Sequence, residues 1–197
     1  MVVRRVNKRI LILCEGMTEY LYALALQREL PKPLRRSVAI DIDHSSKNDP
    51  LHLLNEAMKR AKAAKRERNP YDTVWLFFDH DNSPHLQKVF ELVEREQYHI
   101  AYTAICFEHW LVLHYENCGR AFQNADEAMR YLKKLWPEYH KTKSKAFEVL
   151  RDKLKVAIAR ADVLMKNQDA EMPAYMRNPH FTIPALVRYF ELLKEKE

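Results

Sequence analysis

Two uninterrupted apolar runs constrain the fold of this chain more than any other feature of its sequence. Ile10–Cys14 and Val74–Phe78 consist wholly of apolar residues, many of them branched or aromatic. A strand with one face in solvent alternates apolar and polar residues, whereas a continuous apolar run is typical of a strand that is covered on both faces. The two runs therefore predict buried strands of a parallel sheet.

Helices are predicted between and after these strands. Thr18–Leu30 forms a helix that Pro31 ends. Ser83-Pro84, a capping residue followed by proline, begins a helix that runs to Gln97. The remaining predicted elements are strands at Val38–Asp43 and His99–Phe107, and helices at Pro50–Arg68, Glu108–Glu116, Asn124–Leu135, Ser144–Asn167 and Thr182–Lys194.

The alternation of strands and helices predicts an α/β fold. Its parallel-sheet core has about four strands and is covered by helices on both faces. No internal repeat, low-complexity linker or flexible boundary divides the chain, so residues 1–197 are interpreted as a single integrated domain. Within it, residues 1–107 form the α/β core, and residues 108–197 form a helical extension packed on that core.

Composition narrows the classes of protein to which the chain can belong. The net charge of +6 favours a polyanionic partner such as nucleic acid without requiring one. The three cysteines lack metal-ligand spacing and lie in or near apolar runs, which indicates reduced, buried thiols in a cytoplasmic protein. No signal peptide is recognised, and no stretch approaches the roughly 20 apolar residues of a membrane span, so no membrane partner is expected.

Acidic residues follow the two buried strands at the point where each strand ends. Glu15 ends the first strand, and Asp79 and Asp81 end the third. Ligands of parallel α/β sheets bind beyond the carboxyl ends of the strands. Residues two apart in an extended chain point the same way, so Asp79 and Asp81 can face one site. Glu15 reaches that site if the two strands are neighbours, and Gly16 would then let the backbone turn sharply beside it.

Carboxylates that converge in this way predict a site for a divalent cation. They repel one another, and Mg²⁺ or Mn²⁺ resolves the repulsion because these ions prefer oxygen ligands. Such an ion can bind a phosphate and activate a water. Glu19 lies one helical turn after Glu15 and adds a carboxylate. The number of ions at the site, one or two, is therefore left open. The predicted metal ligands are Glu15, Glu19, Asp79 and Asp81. An acid at the end of a strand, taken alone, is more often a helix cap or a solvated loop residue.

A second group of candidates follows in the helical half. Glu108 is either a further acidic site residue or an acid that the dipole favours in the first turn of a helix. The stretch from Tyr139 to Lys145 is basic with one aromatic residue. Its side chains either grip phosphates and stack a base, or form a solvated loop. The predicted nucleic-acid-binding residues are Tyr139, Lys141, Lys143 and Lys145, and Lys141 or Lys143 would also stabilise charge on a scissile phosphate.

Several of these segments resemble known families. An apolar strand that ends in Glu-Gly, followed much later by one that ends in Asp-x-Asp, is similar to the Toprim domain of topoisomerases, primases and nucleases of the overcoming-lysogenization-defect type. More closely, five segments in order resemble the RloB-like proteins: Ile-Leu-Cys-Glu-Gly-Met-Thr-Glu (12–19), Val-Trp-Leu-Phe-Phe-Asp-His-Asp (74–81), Cys-Phe-Glu-His-Trp-Leu-Val-Leu-His (106–114), Tyr-His-Lys-Thr (139–142) and Asn-Pro (178–179).

The resemblance implies a Toprim-like core and a Mg²⁺-dependent nuclease, acting on DNA or RNA, of a bacterial or archaeal phage-defence, abortive-infection or restriction system. Relatives often act beside an ATPase of the ABC type, and a homo-oligomer is left open. Glu15 would be a general acid/base or a metal ligand, and Asp79 and Asp81 would be metal ligands, with Glu108 as a further catalytic acid. The alternative is a non-cleaving effector subunit that binds nucleic acid or a partner.

Two positions depart from the pattern of the RloB-like proteins. His109 stands where a leucine is expected, in Phe-Glu-His-Trp, and this leaves the neighbouring Glu108 intact. His180-Phe181 follows Asn-Pro where a small polar residue is expected. The second departure puts any catalytic role of that loop in doubt.

Overall fold

A four-stranded parallel sheet forms the core of the computed structural model, which describes residues 8–45, 47, 49–80 and 83–195. The strands are β1 (Arg9–Cys14), β2 (Ala39–His44), β3 (Thr73–Asp79) and β4 (His99–Thr103). Their order in the sheet is β2-β1-β3-β4, and each neighbouring pair is parallel. The predicted α/β fold is therefore confirmed, and β1 and β3 are neighbours, as a shared site at their ends requires.

Helices connect the strands and make up most of the second half of the described chain. None of them is both long and apolar enough to cross a bilayer. Two short 3-10 turns, Arg151–Lys153 and Ala174–Met176, accompany them. The helices are α1 (Met17–Arg28), α2 (Lys32–Ser37), α3 (Pro50–Arg66), α4 (Leu86–Arg95), α5 (Phe107–Val112), α6 (Ala125–Leu135), α7 (Ala146–Leu150), α8 (Leu154–Lys166) and α9 (Ile183–Glu195).

Several predicted boundaries are wrong, and each has a local cause. The fourth strand ends at Thr103 and not at Phe107, because the chain turns with Ile105 at φ 68° and α5 begins at Phe107. The predicted helix Ser144–Asn167 is interrupted by the 3-10 turn, which separates α7 from α8.

Prolines account for two more differences. The sequence pattern does not predict helix α2, since Pro31 indicates only the end of α1. A second proline, Pro33, lies in the first turn of α2 and suits its start. Helix α4 begins after Ser83-Pro84, at Leu86, and the Ser83 hydroxyl accepts a hydrogen bond from the backbone N–H of His85 at 3.4 Å.

Both faces of the sheet are covered, as the apolar runs predicted. Alternate residues of β1 and β3 point to opposite sides, with Ile12 and Phe77 on one face and Leu13 and Leu76 on the other. The first face packs against α1, α5 and the helices that follow α5, and the second packs against α3 and α4. The core on the first face contains residues from both halves of the chain.

The edge strand β4 is covered by a segment of the C-terminal half. Phe181 forms an antiparallel bridge with Thr103. Thr182 donates its backbone N–H to the Tyr102 carbonyl at 2.8 Å, and its hydroxyl accepts the Tyr102 N–H at 2.8 Å. His180 and Phe181 are buried here, so the two large residues after Asn-Pro cover a sheet edge that would otherwise expose unpaired backbone groups.

Candidate active site

Four carboxylates line one cleft at the carboxyl ends of β1 and β3. The cleft has a volume of about 240 Å³, and Glu15, Glu19, Asp79 and Glu108 line it together with Lys141. We call it the acidic cleft. It lies where the chain order of the strands reverses, since β1 continues to β2 on one side and β3 to β4 on the other. This is the position at which open α/β sheets bind ligands.

The structure brings together most of the acidic residues that the sequence predicted for this site. Glu15 follows β1, and its backbone N–H donates to the Phe77 carbonyl of β3 at 2.8 Å. Glu19 comes from the first turn of α1 and Glu108 from the first turn of α5. Asp81, the remaining predicted acid, lies outside the described residues.

These carboxylates are buried to an unusual degree. Glu15, Glu19 and Glu108 are exposed by only 5%, 6% and 1%, and Asp79 is half-buried. Burying an ionised carboxylate is costly unless a counter-charge or hydrogen bonds compensate it. Lys141 is the one cationic side chain among the described residues that line the cleft. Four carboxylates therefore share the acidic cleft with one ammonium group among the described residues that line it.

Burial, and then mutual repulsion, changes the protonation of the acids. Burial raises the pKa of Glu19 to about 7, and repulsion from Glu108 and Glu15 adds to the effect. Burial also raises the pKa of Asp79 well above its usual range, followed by repulsion from Glu19 and Glu108. A divalent cation in the cleft would lower both pKa values, because a nearby positive charge favours the ionised form.

Glu108 is held by two partners. The Tyr139 hydroxyl donates a hydrogen bond to Glu108 Oε1 at 3.1 Å, and Lys141 Nζ lies 3.7 Å from the same oxygen. Burial lowers the pKa of Lys141, but Glu108 and Asp79 outweigh this effect and raise it, so the ammonium stays charged. Glu108 thus lies in the first turn of a helix, where the helix dipole favours an acid, and it also faces the cleft and not solvent.

The prediction that Tyr139 stacks a base is wrong for this structure. The side chain is fully buried, and its ring packs against Trp136 with centroids 5.1 Å apart. It offers no face to a nucleotide. Burial, followed by the charge of Glu108, raises the pKa of the Tyr139 phenol. Tyr139 therefore stays protonated, and its hydroxyl donates a hydrogen bond to the carboxylate.

Nearby backbone positions the carboxylates of Asp79 and Glu19. The backbone N–H of Phe107 donates to Asp79 Oδ2 at 3.2 Å, which orients the aspartate toward the start of α5. Gly16 has φ −122°, which any residue can adopt, so a sharp turn is not why glycine stands there. A Cβ atom at Gly16 would lie 2.7 Å from Glu19 Oε2. Glycine leaves the space that the Glu19 carboxylate occupies.

The predicted lysines lie beside the acidic cleft. Lys141, Lys143 and Lys145 line a second cleft of about 210 Å³, which we call the basic cleft. Arg28 at the end of α1 also lines it, and sequence reasoning missed this residue because only the packing of α1 against α7 brings it there. Thr18 donates its hydroxyl to the Lys141 carbonyl at 3.3 Å and so ties the lysine loop to the start of α1.

The donor atoms of the acidic cleft suit a hard cation, although their present arrangement is not a complete ligand set. Carboxylate oxygens are the ligands that Mg²⁺ and Mn²⁺ prefer. Across residues 8–45, 47, 49–80 and 83–195, no group of three or more His, Cys, Asp or Glu side chains is arranged to hold a metal ion. Glu15, Glu19 and Asp79 line the same cleft without forming such a group.

Two histidines, one in α5 and one just after it, belong to the core. His109 donates through Nε2 to the Cys118 carbonyl at 3.0 Å, and His114 bonds through Nδ1 to the Trp110 carbonyl at 3.1 Å. Burial lowers the pKa of each to about 4, so both are neutral. His109, the first departure from the family pattern, is accommodated against the rings of Phe122 and Phe181.

The chain was compared with known proteins. A family model described as RloB-like protein matches residues 10–190, which is most of the chain and includes every residue placed in the acidic cleft. No curated protein and no solved structure matches the chain.

Proposed function

The chain belongs to the RloB-like family, as its sequence predicted, and we propose that it is a metal-dependent nuclease. It would hydrolyse phosphodiester bonds of DNA or RNA. The observation that carries the proposal is the convergence of four carboxylates and one lysine in the acidic cleft. The net charge of +6, despite this acidic site, supports a polyanionic substrate. The order β2-β1-β3-β4, with acids after β1 and β3, supports a core of the Toprim type.

In the proposed mechanism Glu15, Glu19 and Asp79 hold the cation, with Asp81 as a further ligand. Bound Mg²⁺ or Mn²⁺ would supply compact positive charge for the phosphate and acidify the attacking water. Glu108 would accept a proton from the attacking water, and Glu15 would take this role only where it does not bind the cation.

The other residues of the acidic cleft assist this chemistry. The Tyr139 hydroxyl, 3.1 Å from Glu108 Oε1, fixes the orientation of that carboxylate. The Lys141 ammonium, which lines the cleft, compensates charge that develops on the phosphate.

We further propose that the protein serves a prokaryotic phage-defence or restriction system beside an ABC-type ATPase. Support for this part comes from the family resemblance. The three cysteines, Cys14, Cys106 and Cys118, are buried and free, which fits the reducing cytoplasm.

Substitution of Asp79 tests the proposal. We expect Asp79→Asn to lower Mg²⁺-dependent cleavage by at least about a hundredfold, because it removes a ligand charge while keeping the shape of the side chain. The measurement is cleavage of labelled DNA and RNA by the full chain, with Mg²⁺ or with EDTA, and with and without the partner ATPase.

Asp152→Asn is the matched control, because its side chain is 94% exposed and lines neither cleft. The control should cleave like the unaltered protein. Cleavage by Asp79→Asn at the rate of Asp152→Asn would refute the assignment of the acidic cleft.

A second candidate function is that of an effector subunit that binds nucleic acid or a partner without cleaving. The Lys141–Glu108 ion pair favours it, because this pair already neutralises part of the cleft from within the protein. Calorimetry with Mn²⁺ distinguishes the two candidates. Binding of Mn²⁺ without turnover of DNA, RNA or tRNA, in the presence of the partner, would favour the effector over the nuclease.

A further inference from the structure

The acidic and basic clefts adjoin one another. Thr18, Lys141 and Thr142 line both of them. The hydrogen bond from the Thr18 hydroxyl to the Lys141 carbonyl holds these shared residues in place. A ligand that extends beyond either cleft can therefore reach the other.

The basic cleft combines a cationic rim with an apolar floor. Lys143 and Lys145 are exposed at the rim, where Arg28 also lies, 4.0 Å from the acidic Glu148. Leu21 is 39% exposed and contributes to the floor. Ammonium groups bind phosphates, and an apolar surface accepts the face of a base.

Aromatic packing holds two of the residues that line this cleft beside Leu21. Tyr22 and Phe147 are both buried, and their rings meet edge to face with centroids 5.4 Å apart. The part of the floor that these two rings form therefore does not depend on a ligand to form it. A preformed floor lowers the entropic cost of ordering a bound base.

The size of each cleft on its own limits what it can hold. They measure about 240 and 210 Å³, and each lies below the lower end, about 300 Å³, of pockets that enclose a drug-sized ligand. Each accommodates a fragment, such as one phosphate or one base. Two adjoining clefts of opposite charge suit successive parts of a polymer: a cation-bound phosphate in one, and a base with its own phosphate in the other.

We propose that the basic cleft binds one nucleotide of a single-stranded nucleic acid whose neighbouring phosphate enters the acidic cleft. The proposal rests on the nuclease function and specifies its substrate class. A base can reach the floor at Leu21 only after leaving its stack. In a duplex this step costs the free energy of unpairing and unstacking. In a single strand there is no base pair to break, so the cost is smaller.

The burial of the acids supports the same conclusion. Glu19 and Glu108 are almost inaccessible, so a phosphate has to enter the cleft to approach them. A single strand bends its backbone locally to do so, whereas the backbone of a duplex is held by the helix on which it lies. The structure therefore favours single strands or unpaired loops of either DNA or RNA.

Binding without cleavage tests the proposal independently of catalysis. The probe is a fluorescein-labelled strand of about twelve nucleotides, DNA or RNA, single or annealed to its complement, titrated with the full chain in Ca²⁺, a cation that takes the oxygen ligands that the acidic cleft offers. We expect the single strand to bind at least about tenfold more tightly than the duplex, in DNA, in RNA or in both. Equal or tighter binding of both duplexes would overturn the proposal.

Charge reversal locates the binding site. We expect Lys143→Glu to weaken single-strand binding by about tenfold and to reduce the slope of log K against log salt by about 0.7 or more, as loss of a phosphate contact requires. Lys155→Glu is the control, because Lys155 is also an exposed lysine but lines neither cleft. Equal losses in both variants, or none in Lys143→Glu, would contradict the assigned site.

A substitution at the floor distinguishes the contribution of base contacts to the affinity from that of phosphate contacts. Leu21→Ala should weaken binding of the normal strand several-fold but leave a strand of abasic sites unaffected, because the abasic strand lacks the group that Leu21 contacts. Equal effects on both strands would exclude a base-binding floor. If these binding results hold but no metal supports cleavage, the nuclease function fails while the nucleotide site stands.

Discussion

At the scale of single residues, Tyr139 shows how burial can reverse a role suggested by residue type. An aromatic residue among lysines suggested stacking on a base, yet the ring lies in the core and the hydroxyl holds Glu108. The same contact makes Tyr139 a positioning residue for the proposed reaction. A glutamate with one fixed oxygen presents the other, Oε2, in a defined direction.

Removal of the Tyr139 hydroxyl should affect activity more than stability. Tyr139→Phe keeps the ring and deletes a hydrogen bond, so we expect the free energy of unfolding to fall by about 1 kcal/mol. We expect kcat to fall about ten- to a hundredfold, with a shifted pH profile, because Glu108 loses its orientation. Urea unfolding and pH-dependent cleavage measure the two effects.

Tyr131→Phe is the matched control for this change. Tyr131 also donates its hydroxyl to a glutamate, Glu116, but neither residue lines the acidic cleft. We expect a similar loss of stability and no change in cleavage. An equal change of kcat in the two variants would mean that the Tyr139 contact is only structural.

Protonation of Glu19 predicts the pH dependence of stability. Its pKa is raised from 4.5 to about 7 in the folded protein. The folded state therefore binds more protons than the unfolded state between these values, and the free energy of unfolding falls as pH rises through this window. The full effect corresponds to about 3 kcal/mol, shared with the neighbouring acids.

Urea unfolding in EDTA at pH 5 and pH 8 measures this dependence. Glu19→Gln removes the titrating group, so its stability should fall less between the two pH values than that of the unaltered protein. If the free energy of unfolding of the unaltered protein rises with pH across this window, the raised pKa of Glu19 is contradicted.

At the scale of elements, short-range signals located the strands but not all of their ends. The apolar runs of β1 and β3 were visible because burial on both faces leaves a continuous pattern in the sequence. The end of β4 was not visible, since residues 104–106 are apolar although the backbone turns there. Apolar character reports burial, and burial continues through this turn into α5.

The attachment of the 180–182 segment to β4 should contribute to stability without affecting the site. The Thr182 hydroxyl accepts the Tyr102 N–H and donates to the Ile100 carbonyl at 2.9 Å. Thr182→Val leaves a buried N–H without this partner, so we expect a loss of about 1–3 kcal/mol in the free energy of unfolding.

Urea unfolding measures this loss, and Thr182→Ser is the control because it keeps the hydroxyl. Thr182→Ser should lose less stability than Thr182→Val, and cleavage by the folded fraction should be unchanged in both. A valine variant as stable as the serine variant would show that the two hydrogen bonds contribute little.

At the scale of the whole molecule, the charge of the acidic cleft links metal binding to folding. A cation that binds only the folded state stabilises it in proportion to the logarithm of its concentration. We expect Mn²⁺ to raise the free energy of unfolding by about 2.7 kcal/mol at a concentration about 100 times its Kd. Asp79→Asn should lose most of this gain, and Asp152→Asn should keep it.

Thermal unfolding at pH 7.5 over a series of Mn²⁺ concentrations measures this linkage without any need for activity. The midpoint should rise much less with Mn²⁺ in Asp79→Asn than in the control. A midpoint that is independent of Mn²⁺ in the unaltered protein would remove the metal from the proposed mechanism.

Local sequence was enough to predict the features that depend on neighbouring residues: the buried strands, most helices, and acids at the ends of β1 and β3. These follow from local periodicity and capping, which act over a few residues. Tertiary packing places β1 beside β3, brings Glu19 and Glu108 into one cleft, turns Tyr139 inward and sets Arg28 beside the lysines. Those placements arise from packing between distant segments, which no local pattern encodes.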